Sequence, residues 1–251
     1  MKFLNIKTIP SSKGNLAVAI QCPKKLTNRL AILCPGYLDS KDYKHLVGLS
    51  EELSQKGYTV VRFEPTGTWE SEGEISDYTT TQYLEDIKNV LEYMLKENTY
   101  TYILLGGHSR GGQVSLLYAA RDSRISFVLG IMPSSGPMVG RRREEWKETG
   151  VSVSQRDLPD NRQEKKEFHV PFSHVEDRDK YDVVGDVKNI HVPVVFIAGE
   201  LDDLVLPEDV KEIFNNANEP KKFITIVGIG HDYRHNDDEV KMVDEKIIEN
   251  L

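Results

Sequence analysis

The chain has 251 residues, 39% hydrophobic and 29% charged, with a formal net charge of −8. That length buries a substantial core without disulfides or metals, most simply as one α/β domain carrying an insertion. The acidic balance argues against general nucleic-acid binding and against attraction to anionic membranes. With only Cys22 and Cys34 there is no disulfide framework, and Cys34, in an apolar run, reads as a buried small hydrophobe. Residues 1–10 lack the continuous apolar core of a signal peptide, and no run is long enough to span a bilayer, so the cytoplasm is the expected location.

Residues 3–9 and 15–21 alternate as half-buried strands do, and Ser11-Ser12-Lys13-Gly14 supplies a hairpin turn between them. Leu30-Ala31-Ile32-Leu33-Cys34 is a continuous apolar run stopping at Pro35-Gly36, the mark of a strand covered on both faces. A helix is predicted over 43–56, closed by Gly57, then a short buried strand over 58–63. Residues 66–78, rich in Gly, Ser, Thr and acid, read as a loop. Tyr83, Ile87, Val90, Leu91 and Met94 mark one face of a long helix over 80–97. A strand over 102–105, a glycine-rich turn, a helix ending near Arg121 and a strand over 125–132 follow. This alternation implies a mainly parallel sheet of about eight strands with helices on both faces.

The alternation stops at Pro133. Residues 133–189 are polar and highly charged, and so long a stretch is unusual in a compact domain unless it is functional. The core is therefore expected in 1–132 and 190–251, with 133–189 as a lid over the sheet's carboxyl edge, where open α/β sheets bind ligands. Val151-Ser152-Val153 and Phe168-His169-Val170 alternate, which predicts a small hairpin inside the lid. Trp146, Phe168, Phe172 and Tyr181 are then candidates to face a substrate; the alternative is that they cement the lid to the body. A strand over 192–198, a helix over 207–216, a last strand over 222–227 and a terminal helix over 236–251 complete the chain.

Gly107-His108-Ser109-Arg110-Gly111 fits Gly-x-Ser-x-Gly between a strand and a helix. Five residues alone match by chance in many chains; the flanking elements give the pattern weight. A serine nucleophile needs a base and an acid. Seven histidines are available. His231, in Gly228-Ile229-Gly230-His231-Asp232 just beyond the last strand, can return over the serine, whereas His235 reads as a solvated surface residue. His169 and His174 belong to the lid and read as surface residues, with substrate contact as the alternative, and His108 reads as a packing residue. After the strand ending at Ala198 come Asp202 and Asp203, which point to different sides of the chain and could each be mere turn-formers. The oxyanion hole would take the amide of Arg110 and that of Tyr37, since Pro35 has no N–H.

With these pieces assembled, the chain resembles the α/β-hydrolase superfamily over nearly its whole length. Ser71-Glu72-Gly73 is similar to the Ser-x-Gly loop after the fourth strand, Leu84-Glu85-Asp86-Ile87 to the helix segment before the elbow, and Ile190-His191-Val192-Pro193-Val194 to the entry of the acid strand. The superfamily's Gly-x-x-Asp-x-x-Val pattern selects Asp202, leaving Asp203 to the loop backbone or solvent. Within the superfamily the chain is most similar to small bacterial and archaeal esterases of the feruloyl/cinnamoyl esterase and serine aminopeptidase-like group, which also carry a lid. It departs at Pro35, where a His is usual, and at Pro65-Thr66-Gly67-Thr68-Trp69, where a Gly-His-Gly type sequence is common.

The resemblance implies an α/β-hydrolase fold and a carboxylesterase working through Ser109, His231 and Asp202, with no metal or organic cofactor. Its partner would be a small-molecule ester, neither nucleic acid nor membrane, and a homodimer is left open. An aminopeptidase or thioesterase with the same triad is the nearest alternative, and a non-catalytic binding module on this scaffold the more distant one. Ser109 excludes hydrolases that need Asp or Cys as nucleophile, and the charged lid disfavours a lipase.

Overall fold

Apolar runs cut by glycine, proline and polar turns set the strands, and the 3.6-residue period sets the helices. The computed structural model describes residues 6–251. In chain order come β1 (Thr8–Ser11), β2 (Gly14–Gln21), β3 (Arg29–Cys34), α1 (Lys44–Gln55), β4 (Tyr58–Phe63), α2 (Thr80–Glu97), β5 (Tyr102–His108), α3 (Arg110–Ala119) and β6 (Phe127–Ile131). The first strand, expected over 3–9, lies partly outside the described residues, and its described part starts later, at Thr8. Helix α2 starts where its sequence allows a cap: the Thr79 side chain accepts from the Gln82 amide.

Between β6 and the next strand of the main sheet the chain builds α4 (Arg141–Thr149), the hairpin β7 (Val151–Asp157) and β8 (Lys165–Pro171), and short helices α5 (Ser173–Arg178) and α6 (Val183–Asp186). The antiparallel β7–β8 pairing sets Val153 against His169, so the hairpin read from alternation is present and longer than its two triplets. The main sheet then resumes with β9 (Val194–Gly199), α7 (Pro207–Asn216), β10 (Lys221–Ile226) and α8 (Asp237–Ile248).

The eight-stranded sheet runs β1-β2-β4-β3-β5-β6-β9-β10. Only the β1–β2 and β2–β4 pairings are antiparallel. Side chains alternate between two cores. Helices α1 and α8 bury Ala31, Leu33, Val60, Leu104, Leu129 and Ile197 on one face. On the other, α2, α3 and α7 cover Ile32, Val61, Leu105, Val128 and Phe196. Because β3, β5, β6 and β9 are parallel, their carboxyl ends lie along one edge, with Cys34 opposite Gly107 and Ile131 opposite both His108 and Ile197. Among the described residues no helix is long and apolar enough to cross a membrane.

One polar side chain is left inside the α1–α8 interface. Asp244 is buried, with Oδ1 lacking any hydrogen-bond partner. Burial, then the charges of Glu52 and Glu51, push its carboxyl up to about 8. An unfolded aspartate titrates near ~3.9, so the fold favours the protonated form. Stability present below about pH 4 is therefore lost as pH rises towards 8 and levels off beyond it. Asp244→Asn should melt several degrees higher than the wild type at pH 8 and close to it at pH 4. Thermal unfolding at both pH values checks this, and a lower melting point at pH 8 would show that the carboxylate is stabilising.

Candidate active site

Strand β5 ends at His108 and α3 begins at Arg110, so Ser109 alone makes the reversal. Its backbone sits at φ 55°, ψ −118°, a conformation that side chains other than glycine rarely hold. Close packing enforces it. A Cβ on Gly107 would stand 2.3 Å from the Cys34 carbonyl oxygen, and one on Gly111 2.0 Å from the same atom. Only glycines let the turn lie against the end of β3.

Around that serine the parallel edge delivers the other two groups. The loop after β9 carries Asp202, which is buried, while Asp203 is exposed. The amides of Leu204 and Val205 donate to Asp202 Oδ1 at 3.0 and 2.8 Å, leaving Oδ2 for the Nδ1–H of His231 at 2.7 Å. In that tautomer Nε2 accepts from the Ser109 hydroxyl at 3.0 Å. Burial raises the Asp202 carboxyl, but the His231 bond and the two amides outweigh it and hold it below the usual range. Cys34, the nearest thiol, is pushed up to about 12 by burial, which leaves it a protonated packing group.

Tyr37 and Arg110 flank the serine with their amides. Among the described residues neither amide has a hydrogen-bond acceptor in the chain. The loop that carries Tyr37 is held at every other point. Tyr83 Oη donates to the Pro35 carbonyl, the Leu38 amide to Tyr78 Oη, Trp69 Nε1 to the Leu38 carbonyl, and Arg156 to the Tyr37 carbonyl. An amide without an acceptor keeps its N–H free to donate to developing negative charge.

A second buried polar layer supports His231. Its ring packs on His108 with centroids 4.6 Å apart, and His108 in turn packs on His45 at 5.2 Å. Asp39 Oδ2 lies 3.8 Å from His108 Nδ1 and 4.0 Å from His45 Nε2, with Arg156 3.5 Å from its other oxygen. Burial works against the Asp39 carboxylate, yet His108, Arg156 and His45 together hold it well below the ordinary range. His45 is held down to about 3 by burial, then by the neighbouring His108. Asp39, His45 and His108 are close enough to share a metal ion, but Arg156 already stands where such a cation would add repulsion. The acidic group Asp42, Glu64 and Glu70 is bridged by Lys41.

A cavity of about 700 Å³ opens above Ser109. The four aromatics proposed for it are elsewhere. Trp146 is buried, donates Nε1–H to the Val170 carbonyl at 2.9 Å and stacks on His174. Phe168 packs edge-on against Trp69, Phe172 lies under Arg143, and Tyr181 Oη bonds Thr81 Oγ1 at 2.7 Å. None lines the cavity. The expectation that they face a substrate is corrected: large apolar rings were needed to fasten a charged insertion to the body. His174 also differs from its reading as a surface residue. It is buried, bonds the Tyr78 carbonyl at 2.7 Å and lines the cavity. His169 and His235 are exposed, as read. Sequence reasoning passed over Asp39, Arg142, Arg156 and Arg178, all cavity residues. The three arginines had no signal beyond their place among many charged residues of the segment 133–189, and Asp39 had none.

Residues 27–183 match the family described as serine aminopeptidase, S33. The chain belongs to the S33 family. A curated relative of this S33 chain, the mitochondrial palmitoyl-protein thioesterase ABHD10 of Mus musculus, is 23% identical over 211 residues, covering 82% of this chain and 67% of the relative. An acyl transferase of Photobacterium phosphoreum is 22% identical over 223 residues, covering 86% and 71%. The solved structure of Est1E from Butyrivibrio proteoclasticus with ferulic acid bound aligns at a TM-score of 0.78 and 23% identity over 97% of both chains. That likeness establishes the α/β-hydrolase fold for this S33 member.

The lid is tied to the His231 loop by one buried ion pair. Arg234, three residues past His231, donates to both oxygens of Asp157 at 3.0 and 2.8 Å. Tyr43 lies under the guanidinium at 4.1 Å and donates to the Asp157 carbonyl. Asp157→Asn leaves that buried guanidinium only the exposed Asp232, 3.4 Å from Nε, as a counter-charge; removing one partner of a buried pair typically costs about 3–5 kcal/mol, and less where such a second carboxylate remains. Urea unfolding should show that loss, and a change below about 1 kcal/mol would mean that solvent screens the pair.

Proposed function

We propose that this S33 chain is a serine hydrolase that cleaves carboxylic esters through an acyl-enzyme on Ser109. The reading is carried by the unbroken line from Asp202 through His231 to Ser109, at 2.7 and 3.0 Å, beside two amides without acceptors. In the first half-reaction His231 Nε2 takes the Ser109 proton as Oγ bonds the ester carbonyl carbon. The carbonyl oxygen becomes an oxyanion received by the amides of Tyr37 and Arg110; losing one such donor costs about a hundredfold or more. His231 then gives its proton to the leaving alcohol as the C–O bond breaks. Water repeats the sequence: it loses a proton to His231, attacks the acyl carbon, and Ser109 leaves with that proton restored. Asp202 keeps the imidazole in the working tautomer and stabilises it when charged.

A thioester is the second substrate class this cycle serves. The mouse relative's name, palmitoyl-protein thioesterase, favours it, and a thiolate leaves with less help from His231. An aminopeptidase would need an acid to hold a free α-amino group. The lid contributes Arg142, Arg156 and Arg178 to the cavity and no carboxylate, which weighs against that substrate despite the family's description.

Pure Ser109→Ala should lose hydrolysis of short aryl esters and labelling by a fluorophosphonate; undiminished turnover would overturn the assignment. Asp202→Asn should keep the fold and lower kcat about 10³–10⁴-fold, because the amide favours the wrong imidazole tautomer. Parallel kinetics on matched oxygen esters, thioesters and peptide amides rank the substrate classes.

A further inference from the structure

The cavity over Ser109 holds more positive charge than the chain neutralises. Four arginines line it, Arg110, Arg142, Arg156 and Arg178, against three carboxylates, Asp39, Asp209 and Asp232. Arg156 is spent on the Tyr37 carbonyl and Asp39. The other three have no carboxylate within ion-pair distance among the described residues.

Arg110 is the decisive one. It follows the nucleophile directly and is only 2% exposed. Nη2 reaches Thr80 Oγ1 at 3.3 Å, while Nε and Nη1 are buried with no partner. The Tyr78 ring, 5.0 Å from its guanidinium carbon, offers a cation–π contact but no counter-charge. Arg178 reaches in from α5, donating Nη2 to the Gly136 carbonyl at 2.8 Å, with its Nε also unpaired. Burial, then the charge of Arg110, lower this guanidinium to about 10. His174, between α5 and Tyr78, is held neutral by burial and by Arg110, and adds no charge of either sign. A buried cation without a counter-charge is expensive, and chains rarely keep two side by side unless something from outside completes them.

We propose that this cavity selects esters that carry a carboxylate or phosphate group beside the scissile bond, gripped by Arg110 and Arg178 with the exposed Arg142 at the rim. The inference rests on the reading of Ser109 as nucleophile and specifies its substrate class. Guanidinium forks match both oxyanion types bidentately, so carboxylate and phosphate share one recognition chemistry. Binding of such a group would bring to the cavity the counter-charge that Arg110 and Arg178 lack.

The test is a matched series of aryl esters: butyrate against the glutarate monoester, and aryl acetates with and without a ring carboxylate or phosphate. The wild type should show a kcat/KM about tenfold or more higher for at least one anionic member than for its neutral match, the scale of one charge-assisted contact. Arg178→Gln should cut that anionic-to-neutral ratio about tenfold, and Arg178→Lys should restore part of it. Glutarate or inorganic phosphate should also protect Ser109 from fluorophosphonate labelling in the wild type and less so in Arg178→Gln. The carboxylate and phosphate arms separate the two sources of the anion. Equal kcat/KM for every anionic and neutral pair in the wild type overturns the proposal, as does a ratio that survives Arg178→Gln. Should that variant fail to fold, the wild-type series and the protection experiment decide alone. If Ser109 labels and neutral esters are turned over without anion preference, only this inference falls. If Ser109 neither labels nor supports turnover of any ester, the hydrolase reading falls with it.

Discussion

The site depends on the contact between one carbonyl, that of Cys34, and the two glycines at 107 and 111. Strands β3 and β5 end together, and each continues into half of the machinery: the Tyr37 loop from one, the Ser109 turn from the other. Any side-chain carbon at either glycine would lie within 2.3 Å of that oxygen and would drive α3 away from β3. The amides of Tyr37 and Arg110 would then separate, and a misplacement of about 1 Å can cost on the order of a hundredfold in rate. Strain at Ser109 persists because its surroundings over-determine it: every residue of α3 is buried. The turn has nowhere else to go.

Electrostatics behind the serine follow from the same burial. A charge appearing on His231 during acyl transfer would meet His108, whose ring is only 4.6 Å away. Burial lowers the proton affinity of His108 and of His45 behind it, so neither opposes the new charge. Asp39 is ionised instead, helped by Arg156 from the lid. Asp202 bonds the imidazole directly, and Asp39 stands behind the His108 ring that packs on it. Arg156 thus joins lid to core twice, through Asp39 and through the Tyr37 carbonyl, and ties the position of the oxyanion loop to the closure of the insertion.

Most of the core was legible because local pattern and global fold agree there. The helix from Thr80 to Glu97 and the one from Pro207 to Asn216 have the predicted bounds. The apolar run 30–34 is the interior strand that its unbroken hydrophobicity required. Ser109, His231 and the neighbours Asp202 and Asp203 could be located because each lies just beyond a strand, and parallel strands bring their carboxyl ends to one edge; only the superfamily pattern separated Asp202 from Asp203. The lid was legible as a hairpin but not as a surface. Trp146 and Phe168 were taken for substrate contacts on chemical character alone. Which side of a short element faces the cavity depends on how it docks, and docking here is set by distant pairs such as Thr81 with Asp177 and Asp157 with Arg234. No window of sequence contains both members of such a pair.

The division of labour between core and lid explains why family membership says less about substrate than about chemistry. Ser109, Asp202, His231 and the amides of Tyr37 and Arg110 come from loops of the main sheet, where packing admits few alternatives. Most of the wall above them comes from residues 134–178, held to the body by a handful of polar and aromatic contacts. Such a wall can exchange an acid for an arginine without disturbing Gly107, Gly111 or the Asp202 loop. In this S33 chain the insertion brings Arg142, Arg156 and Arg178 to the cavity, while the cavity's carboxylates, Asp39, Asp209 and Asp232, come from the core. Differences in substrate among chains of this fold are therefore to be sought in such a wall rather than in the elbow beneath it.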